Sequence, residues 1–344
     1  MQAVERRPSG RLRLRPLTLA VGALLLAATA AVALGPVSLP FSDVMRELLS
    51  RLPGISIESG LSEREAAILW ELRVPRVALA GLVGALLSGA GAAYQGSFRN
   101  PLADPYLLGV AAGAGLGATL VISGGITNPA ALTAAAFVGG VVAVVITYAA
   151  GRIGGGSSAV TLILAGVAVA SFFTAVQTFV QQLSSDTVRE VFSWILGRLT
   201  TVGWAEVWLV TPFAVVTAAV LLMHRRHLDV LAVGDAEASS LGMAAGRVRL
   251  IIVLAATLGT AAAVSVSGLI GFVGIVVPHT VRLMTGTSYR TIIPMSLVAG
   301  GAFLIGADLL ARTVIAPSEL PIGVITAFVG APFFAVILRA RRAG

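Results

Sequence analysis

The chain has 344 residues, of which 57% are hydrophobic and 12% are charged, and its formal net charge is +8. A soluble domain carries charge on about a quarter of its residues, so this composition excludes an ordinary soluble protein and indicates an integral membrane protein. Basic residues of a membrane protein chiefly set its orientation, which argues against a nucleic-acid partner.

Two residue types do not occur in the sequence. There is no cysteine, which excludes disulfides, thiolate metal sites and iron–sulfur clusters. There is no lysine either, so all 24 basic residues are arginine. A P-loop needs a lysine on the nucleotide phosphates, so the chain is not a P-loop ATPase.

Apolar runs of near-membrane length predict the elements in chain order. They cover roughly residues 17–35, 77–96, 106–122, 130–150, 158–180, 205–223, 250–267, 269–283, 291–311 and 322–338. The seventh and eighth runs are the hardest to separate, because only "SVSG" divides them and Pro278 then interrupts the eighth. We therefore expect an all-α integral membrane protein with about ten transmembrane helices.

The N-terminal segment, residues 1–16, carries "RRPSGRLRLRP" directly before the first apolar run. A secretory signal peptide has the same order of features, and "AATAAVALG" offers small residues for cleavage. The apolar run is long for a signal peptide and further spans follow at once. We therefore favour an uncleaved first helix with a basic, cytoplasmic N-terminus.

The arginines between the predicted spans follow one pattern. If the N-terminus is cytoplasmic, the even-numbered connectors are cytoplasmic too, and these carry Arg99, Arg152, Arg225, Arg226, Arg247, Arg249, Arg282 and Arg290. The C-terminus adds Arg339, Arg341 and Arg342, whereas the outer connectors mix arginine with Asp and Glu. The positive-inside rule predicts that both termini are cytoplasmic. It also places the connector "RNPLADP", Arg99 to Pro105, in the cytoplasm.

The longest cytoplasmic connector, residues 224–249, contains "VGDAEASSLGMAAGRVR". This sequence predicts a short helix with Asp235 as its N-cap and Glu237 in its first turn, then a break at Gly242 and a second short turn. Small and apolar residues alternate along it, which favours a docking surface for another protein. The alternative is a solvated loop that only returns the chain to the membrane.

The three histidines do not predict a metal site. His224 and His227 share one helix face, but Arg225 and Arg226 lie between them, so they are typical of a cytoplasmic helix end rather than a zinc site. His279 lies near the end of a span, where a lone histidine is more often structural than a ligand. The sequence also offers no acid and base in plausible reach of one another, so we predict no catalytic residue and no cofactor bound by this chain.

The sequence "GAGLGA", Gly113 to Ala118, matches a dinucleotide-binding pattern. It lies inside an apolar span and no predicted strand precedes it. Packing of small residues between helices is therefore the better interpretation.

Asp308 and Arg312 lie four residues apart in the ninth span, so they can pair on one helix face. An ionisable residue at membrane depth is a functional candidate, and the alternative is an ion pair at a helix end. The outer turn "SELP" that follows exposes Glu319.

Residues 36–70 contain "FSDVMRELLSRLPG", which has amphipathic spacing. It predicts either a segment that lies on the outer membrane surface or a short outer helix.

Several stretches recur in the order known from one family. "LRVPR" comes before the second span, "GALLSGAGAAYQGSFRNPLADPYLLGVAAGAGLGA" follows, and "GDAEASSLG", "GFVGIVVPHTVRL", "ADLLAR" and "ELPIGVITAFVGAPFF" come later. Together they closely resemble the permease family of ABC importers for iron–siderophores, haem and cobalamin. The resemblance covers nearly the whole chain beyond residue 70.

This resemblance implies a type II ABC importer permease architecture in which residues 1–344 form a single transmembrane permease domain. It implies a homodimer, or a heterodimer with a sister permease, with the pathway between the two subunits. It also implies two cytoplasmic ATPase subunits, which bind ATP and Mg²⁺, and an extracytoplasmic substrate-binding protein. The location would be the cytoplasmic membrane of a bacterium.

The resemblance also implies roles for particular residues. The coupling helices that rest in the ATPase would include Gly234, Asp235, Glu237, Leu241 and Gly242. Outward-facing arginines that meet two glutamates of the binding protein in the cobalamin permease match Arg73, Arg76 and Arg312. The inner constriction would be lined by Asn100 and Leu102. A second gate falls near Ser157 and Ser158, although the cobalamin permease has its Thr-Ser pair two residues later.

The sequence thus predicts the permease of an importer for an iron–siderophore complex, with haem or cobalamin as alternative substrates. A secondary transporter driven by an ion gradient is the alternative from another class. It would need acidic residues deep in the spans, and Asp308 near a span end is the only one available. We do not expect an enzyme.

Overall fold

The computed structural model describes residues 14–51, 57–153 and 159–342. Within these ranges the regular structure is entirely helical. The helices are α1 (Leu14–Ala33), α2 (Phe41–Ser50), α3 (Glu63–Ala67), α4 (Val74–Ser97), α5 (Val110–Ser123), α6 (Pro129–Ile153), α7 (Ala159–Leu183), α8 (Val188–Ile195), α9 (Ala205–Val233), α10 (Asp235–Ser240), α11 (Ala245–Ser267), α12 (Val273–Thr285), α13 (Tyr289–Thr313) and α14 (Ile322–Arg342).

Ten of these helices coincide with the ten predicted spans. Seven helical segments in the described ranges are long and apolar enough to cross a membrane, and α5, α12 and the apolar part of α14 are shorter apolar helices. The predicted all-α membrane architecture is confirmed. The predicted boundary near Gly268 is also correct, since α11 ends at Ser267 and α12 begins at Val273.

Helix α4 lies at the centre of the bundle. Its apolar window is 78% buried, compared with 22% for those of α1 and α9. Glycines allow its neighbours to approach closely: a Cβ on Gly84 would collide with the carbonyl of Gly300 in α13, and one on Gly91 would collide with Gly274 in α12. Small residues therefore bring three helix backbones together, as expected for helix packing in lipid.

The glycine-rich sequence at residues 113–118 lies within α5 and packs against α6. A Cβ on Gly113 would collide with the carbonyl of Gly139, and a Cβ on Gly117 with the carbonyl of Ala135. The interpretation of this sequence as a helix-packing surface is confirmed.

The connector predicted at residues 224–249 is shorter in the structure. Helix α9 continues to Val233 and α11 already begins at Ala245, so only residues 234–244 lie between them, and they hold one short helix, α10. The helix continues because Leu228 and Leu231 are fully buried against the core, and this burial stabilises nearly three more turns beyond the predicted span.

The predicted outer segment before the second span is helical. Ser62 and Glu65 form a capping box at the start of α3. A π-helical turn, Ile68–Arg73, then joins α3 to α4. A π-turn inserts an extra residue per turn and is frequent at functional sites; here it carries Arg73.

The amphipathic segment near residue 41 forms the short helix α2. Its buried face carries Val44 and Glu47. The indole N–H of Trp70 donates to the Glu47 carboxylate at 2.9 Å. The contact ties α2 to the segment that leads into α4, so of the two predicted alternatives the structure favours the short helix.

Candidate coupling, gating and outer charged sites

The predicted coupling residues form a compact hairpin between α9 and α11. Gly234 has φ +150° and precedes α10, so it occupies the N-cap position that the sequence assigned to Asp235. Asp235 is instead the first residue of the helix. The turn favours glycine, because residues with a Cβ rarely adopt this φ.

At the other end of α10 the chain turns through Gly242, which has φ +79°. The N–H of Met243 donates to the Ala238 carbonyl at 3.0 Å, which closes the turn. Leu241 projects from this turn with 73% of its surface exposed.

The Asp235 carboxylate is anchored by an arginine of the next helix. Arg249 donates from Nη1 to Oδ2 at 3.0 Å and from Nη2 to Oδ1 at 2.5 Å. These hydrogen bonds, chiefly, hold the pKa of Asp235 below its usual range, and the positive charge of nearby Arg99 adds to the effect. The carboxylate therefore stays charged and paired at neutral pH.

The inner connector "RNPLADP" is held by its own side chains. Arg99 adopts a left-handed φ of +52°, which is uncommon for a residue with a Cβ. Asn100 Oδ1 accepts the Leu102 N–H at 3.0 Å, and Asp104 Oδ1 accepts the Tyr106 N–H at 2.7 Å. Two Asx turns therefore shape the segment.

This geometry gives the two predicted gate residues, Asn100 and Leu102, different roles. The Asn100 side-chain oxygen holds the turn, whereas Leu102 projects outward with 58% of its surface exposed. Pro105 is buried, and a Cβ on Gly274 in α12 would collide with its ring. The connector is thus fixed against the bundle while Leu102 remains free to contact a neighbour. The other predicted gate residues, Ser157 and Ser158, lie outside the described residues.

Two of the three arginines predicted to dock the binding protein are buried within this chain. Arg73 and Arg312 are 4% and 2% exposed. Arg73 Nη1 donates to the carbonyls of Val32 and Ala33 at 2.9 and 2.8 Å, and Arg312 Nη2 donates to the carbonyl of Ala31. The last carbonyls of a helix have no partner within it, so the two arginines cap the C-terminus of α1. Their role in docking a binding protein stays a prediction.

Arg76 is the outer arginine that retains partial exposure, at 13% of its side chain. It lies 2.8 Å from the Asp308 carboxylate and forms two hydrogen bonds of 2.9 Å with Glu319. The predicted pair of Asp308 and Arg312 is confirmed, with Nε 3.6 Å from Oδ2. Sequence spacing found this pair but not Arg76, because 232 residues separate it from Asp308.

The histidines contribute no metal centre in the described part of the chain, where no cluster of three His, Cys, Asp or Glu could hold an ion. His224 and His227 lie side by side on α9, with ring centroids 5.3 Å apart. His279 is buried with its ring edge-on to Phe333.

Comparison with known sequences decides the family. The sequence pattern of the FecCD transport family matches residues 23–340. The chain belongs to the FecCD transport family. Together with the helical architecture, this membership makes the protein a multi-pass membrane permease of an ABC importer.

Three relatives of this FecCD permease carry named substrates. The cobalamin import system permease protein BtuC of Halobacterium salinarum is 40% identical over 285 residues, which cover 83% of this chain and 77% of the relative. The hemin transport system permease protein HmuU of Yersinia pestis is 37% identical over 281 residues, covering 79% and 84%. The iron(3+)-hydroxamate import system permease protein FhuB of Bacillus subtilis is 37% identical over 280 residues, covering 80% and 72%.

A solved structure supports the same conclusion for the fold. An inward-facing conformation of a metal-chelate type ABC transporter matches this FecCD permease with a TM-score of 0.84 at 25% identity. The match covers 95% of this chain and 100% of that one.

Proposed function

We propose that this FecCD permease carries an iron–siderophore complex across the cytoplasmic membrane in an ATP-driven importer. The observation that carries the proposal is the similarity along most of the chain to permeases named for iron hydroxamate, haem and cobalamin import. The solved metal-chelate type transporter favours a chelated metal as cargo. Haem and cobalamin, which are also metal complexes, are the alternative substrates.

The proposed assembly contains two permease subunits, identical or paired with a sister chain, two ATPase subunits and an extracytoplasmic binding protein. ATP and Mg²⁺ bind the ATPases, since this chain has no lysine with which to build a P-loop. The hairpin of residues 234–244 is the proposed ATPase contact, with Leu241 as its apolar anchor. Cytoplasmic termini follow from the arginine distribution.

Arg76 is the proposed docking residue for the binding protein. Its guanidinium is held at the outer end of α4 by the exposed carboxylate of Glu319. Carboxylates accept bidentate hydrogen bonds from arginine, so an acidic residue of a partner can exchange with Glu319 at this position. Arg73 and Arg312 then support the site by fixing α1 beneath it.

Leu102 is the proposed inner constriction. In a pair of permeases the two connectors face the shared pathway, and an exposed leucine from each closes it with apolar surface. Asn100 acts behind it by holding the turn.

The test is reconstitution of the full complex in proteoliposomes, with uptake of ferric hydroxamate, haem and cobalamin measured in parallel under ATP. We expect ferric hydroxamate to accumulate. Accumulation of haem or cobalamin instead would assign the alternative substrate. No ATP-dependent uptake of any of the three would contradict the proposed function.

A further inference from the structure

Arg249 occupies the point where the coupling hairpin meets the inner connector. It lies near the start of α11 and is only 4% exposed. Its Nε donates to the carbonyl of Ser97 at 2.9 Å, while its two Nη atoms bind the Asp235 carboxylate. One rigid guanidinium thus joins the first residue of α10 to the last residue of α4.

The bond to Ser97 reaches the connector directly. Ser97 ends α4 and is followed by Phe98 and then by Arg99, the first residue of the connector. The Ser97 carbonyl is one of the four that a helix C-terminus leaves without an internal partner. Arg249 supplies that partner, so a shift of Arg249 pulls on the residue that sets where the connector begins.

A second arginine lies between the same two segments. A Cβ on Gly234 would be 3.6 Å from Nη1 of Arg99, so the connector's arginine reaches the start of α10. Arg99 holds the left-handed φ of +52°, a conformation that costs free energy and persists only when its surroundings fix it. Two arginine side chains, Arg249 and Arg99, therefore lie between the connector and the coupling hairpin.

From this geometry we infer that Arg249 is a positioning residue that transmits movement of the coupling hairpin to the inner connector and hence to Leu102. The inference rests on the proposed function, because it assumes that a partner ATPase moves residues 234–244. A planar guanidinium suits the task, since its fork engages a carboxylate and a carbonyl at once in a fixed geometry. A lysine in its place is a point charge that cannot keep both contacts rigid.

The test uses the complete importer in proteoliposomes with Arg249→Lys and Asp235→Asn. The matched control is Asp229→Asn, which alters another cytoplasmic ion pair, that of Asp229 with Arg290 at 3.3 Å. Asp229 accepts from Ser288 and from the Tyr289 N–H, so it ties α9 to α13 and does not touch the connector.

Two measurements separate transmission from folding. The first is substrate taken up per ATP hydrolysed. The second uses the absence of cysteine from the chain: a single Leu102→Cys is labelled with a maleimide in the nucleotide-free and the vanadate-trapped complex. The ratio of the two labelling rates measures how much the accessibility of position 102 changes between the two states of the ATPase.

We expect uptake per ATP to fall about tenfold in Arg249→Lys and Asp235→Asn, within the usual range of coupling between two sites, while the complex still hydrolyses ATP. The labelling ratio should move toward one in both variants and stay unchanged in Asp229→Asn. If Arg249→Lys fails to assemble, Asp235→Asn decides alone.

Unchanged uptake per ATP and an unchanged labelling ratio in the variants would overturn the inference and leave Arg249 with a purely structural role. Failure of the unmodified complex to take up substrate under ATP would instead contradict the proposed function, so the two outcomes are distinguishable.

Discussion

At the scale of single residues, the outer arginines show how burial changes a role inferred from similarity. Arg73 binds the carbonyls of Val32 and Ala33 and also that of Val37. Hydrogen bonds to a charged group contribute about 1.5–3 kcal/mol each, and a buried carbonyl left unpaired is costly. Arg73 therefore stabilises the end of α1.

We predict that Arg73→Met destabilises the protein by at least about 2 kcal/mol, since methionine keeps much of the volume but donates no hydrogen bond. Thermal unfolding of the purified chain in detergent measures the change. Arg64→Met, at an exposed position of α3, is the control and should leave the unfolding temperature unchanged. Normal stability combined with lost binding-protein affinity would place Arg73 in the docking interface after all.

Asp104 gives a prediction about pH. Burial raises the pKa of this connector carboxyl from 3.8 to about 6, partly offset by the hydrogen bond from the Tyr106 N–H. The folded protein therefore binds more protons than the unfolded chain between about pH 4 and pH 6, and stability falls as the pH rises through that window.

Asp104→Asn keeps an oxygen for the Tyr106 N–H but does not ionise. Well above pH 6 we expect the variant to be more stable than the unmodified protein by roughly 3 kcal/mol, since the pKa rises by about two units and each unit corresponds to about 1.4 kcal/mol. The difference should shrink toward pH 4. Unfolding temperatures measured across this range test it, and parallel curves for the two proteins would refute it.

The sequence identified residues whose signal is local. Asp308 and Arg312 were found because a spacing of four residues places them on one helix face, and Gly242 was found as a break. Arg249 was missed as a site residue, and Arg76 was predicted from the resemblance without its partners Asp308 and Glu319, because these partners lie far away in the chain and spacing does not reveal them. The cap that Arg73 and Arg312 provide at the end of α1 was also missed. Its acceptors are backbone carbonyls, which every residue carries, so no residue type in the sequence indicates them.

At the scale of helices, close glycine contacts decide how α5 meets α6. We predict that Gly113→Ala destabilises the protein by about 1–3 kcal/mol, the usual cost of overpacking, because its methyl group would collide with the Gly139 carbonyl. Gly306→Ala in α13 is the matched control, as a Cβ there meets nothing within 4 Å. Thermal unfolding in detergent compares the two, and equal effects would contradict the packing account.

The long apolar helices could be predicted because a bilayer requires helical spans of about 20 apolar residues, which are visible directly in the sequence. Their ends were less predictable where tertiary burial extends a helix. Helix α9 runs past its apolar stretch because Leu228 and Leu231 are buried in the core, although arginines and histidines precede them. The sequence-based prediction places α3 and the π-turn before α4 in an outer connector. The charged residues of this segment interrupt the apolar pattern, so they conceal a helix that packs on only one side.

At the scale of the whole molecule, the arginine distribution predicts the orientation in the membrane. We expect Ser318→Cys, between α13 and α14, to be labelled from outside by an impermeant maleimide, and Arg152→Cys, at the end of α6, only after the membrane is opened. Both positions are exposed, and the chain has no other cysteine. The reverse labelling pattern would contradict the predicted orientation in the membrane.

We propose that ATP hydrolysis on a partner subunit, rather than an ion gradient, drives transport through this permease. The most direct measurement compares uptake of ferric hydroxamate by proteoliposomes containing the full complex under two conditions: internal ATP without a gradient, and an imposed proton or sodium gradient without ATP. We predict vanadate-sensitive uptake with ATP and none with the gradient. Gradient-driven uptake by the permease without any ATPase would contradict the account.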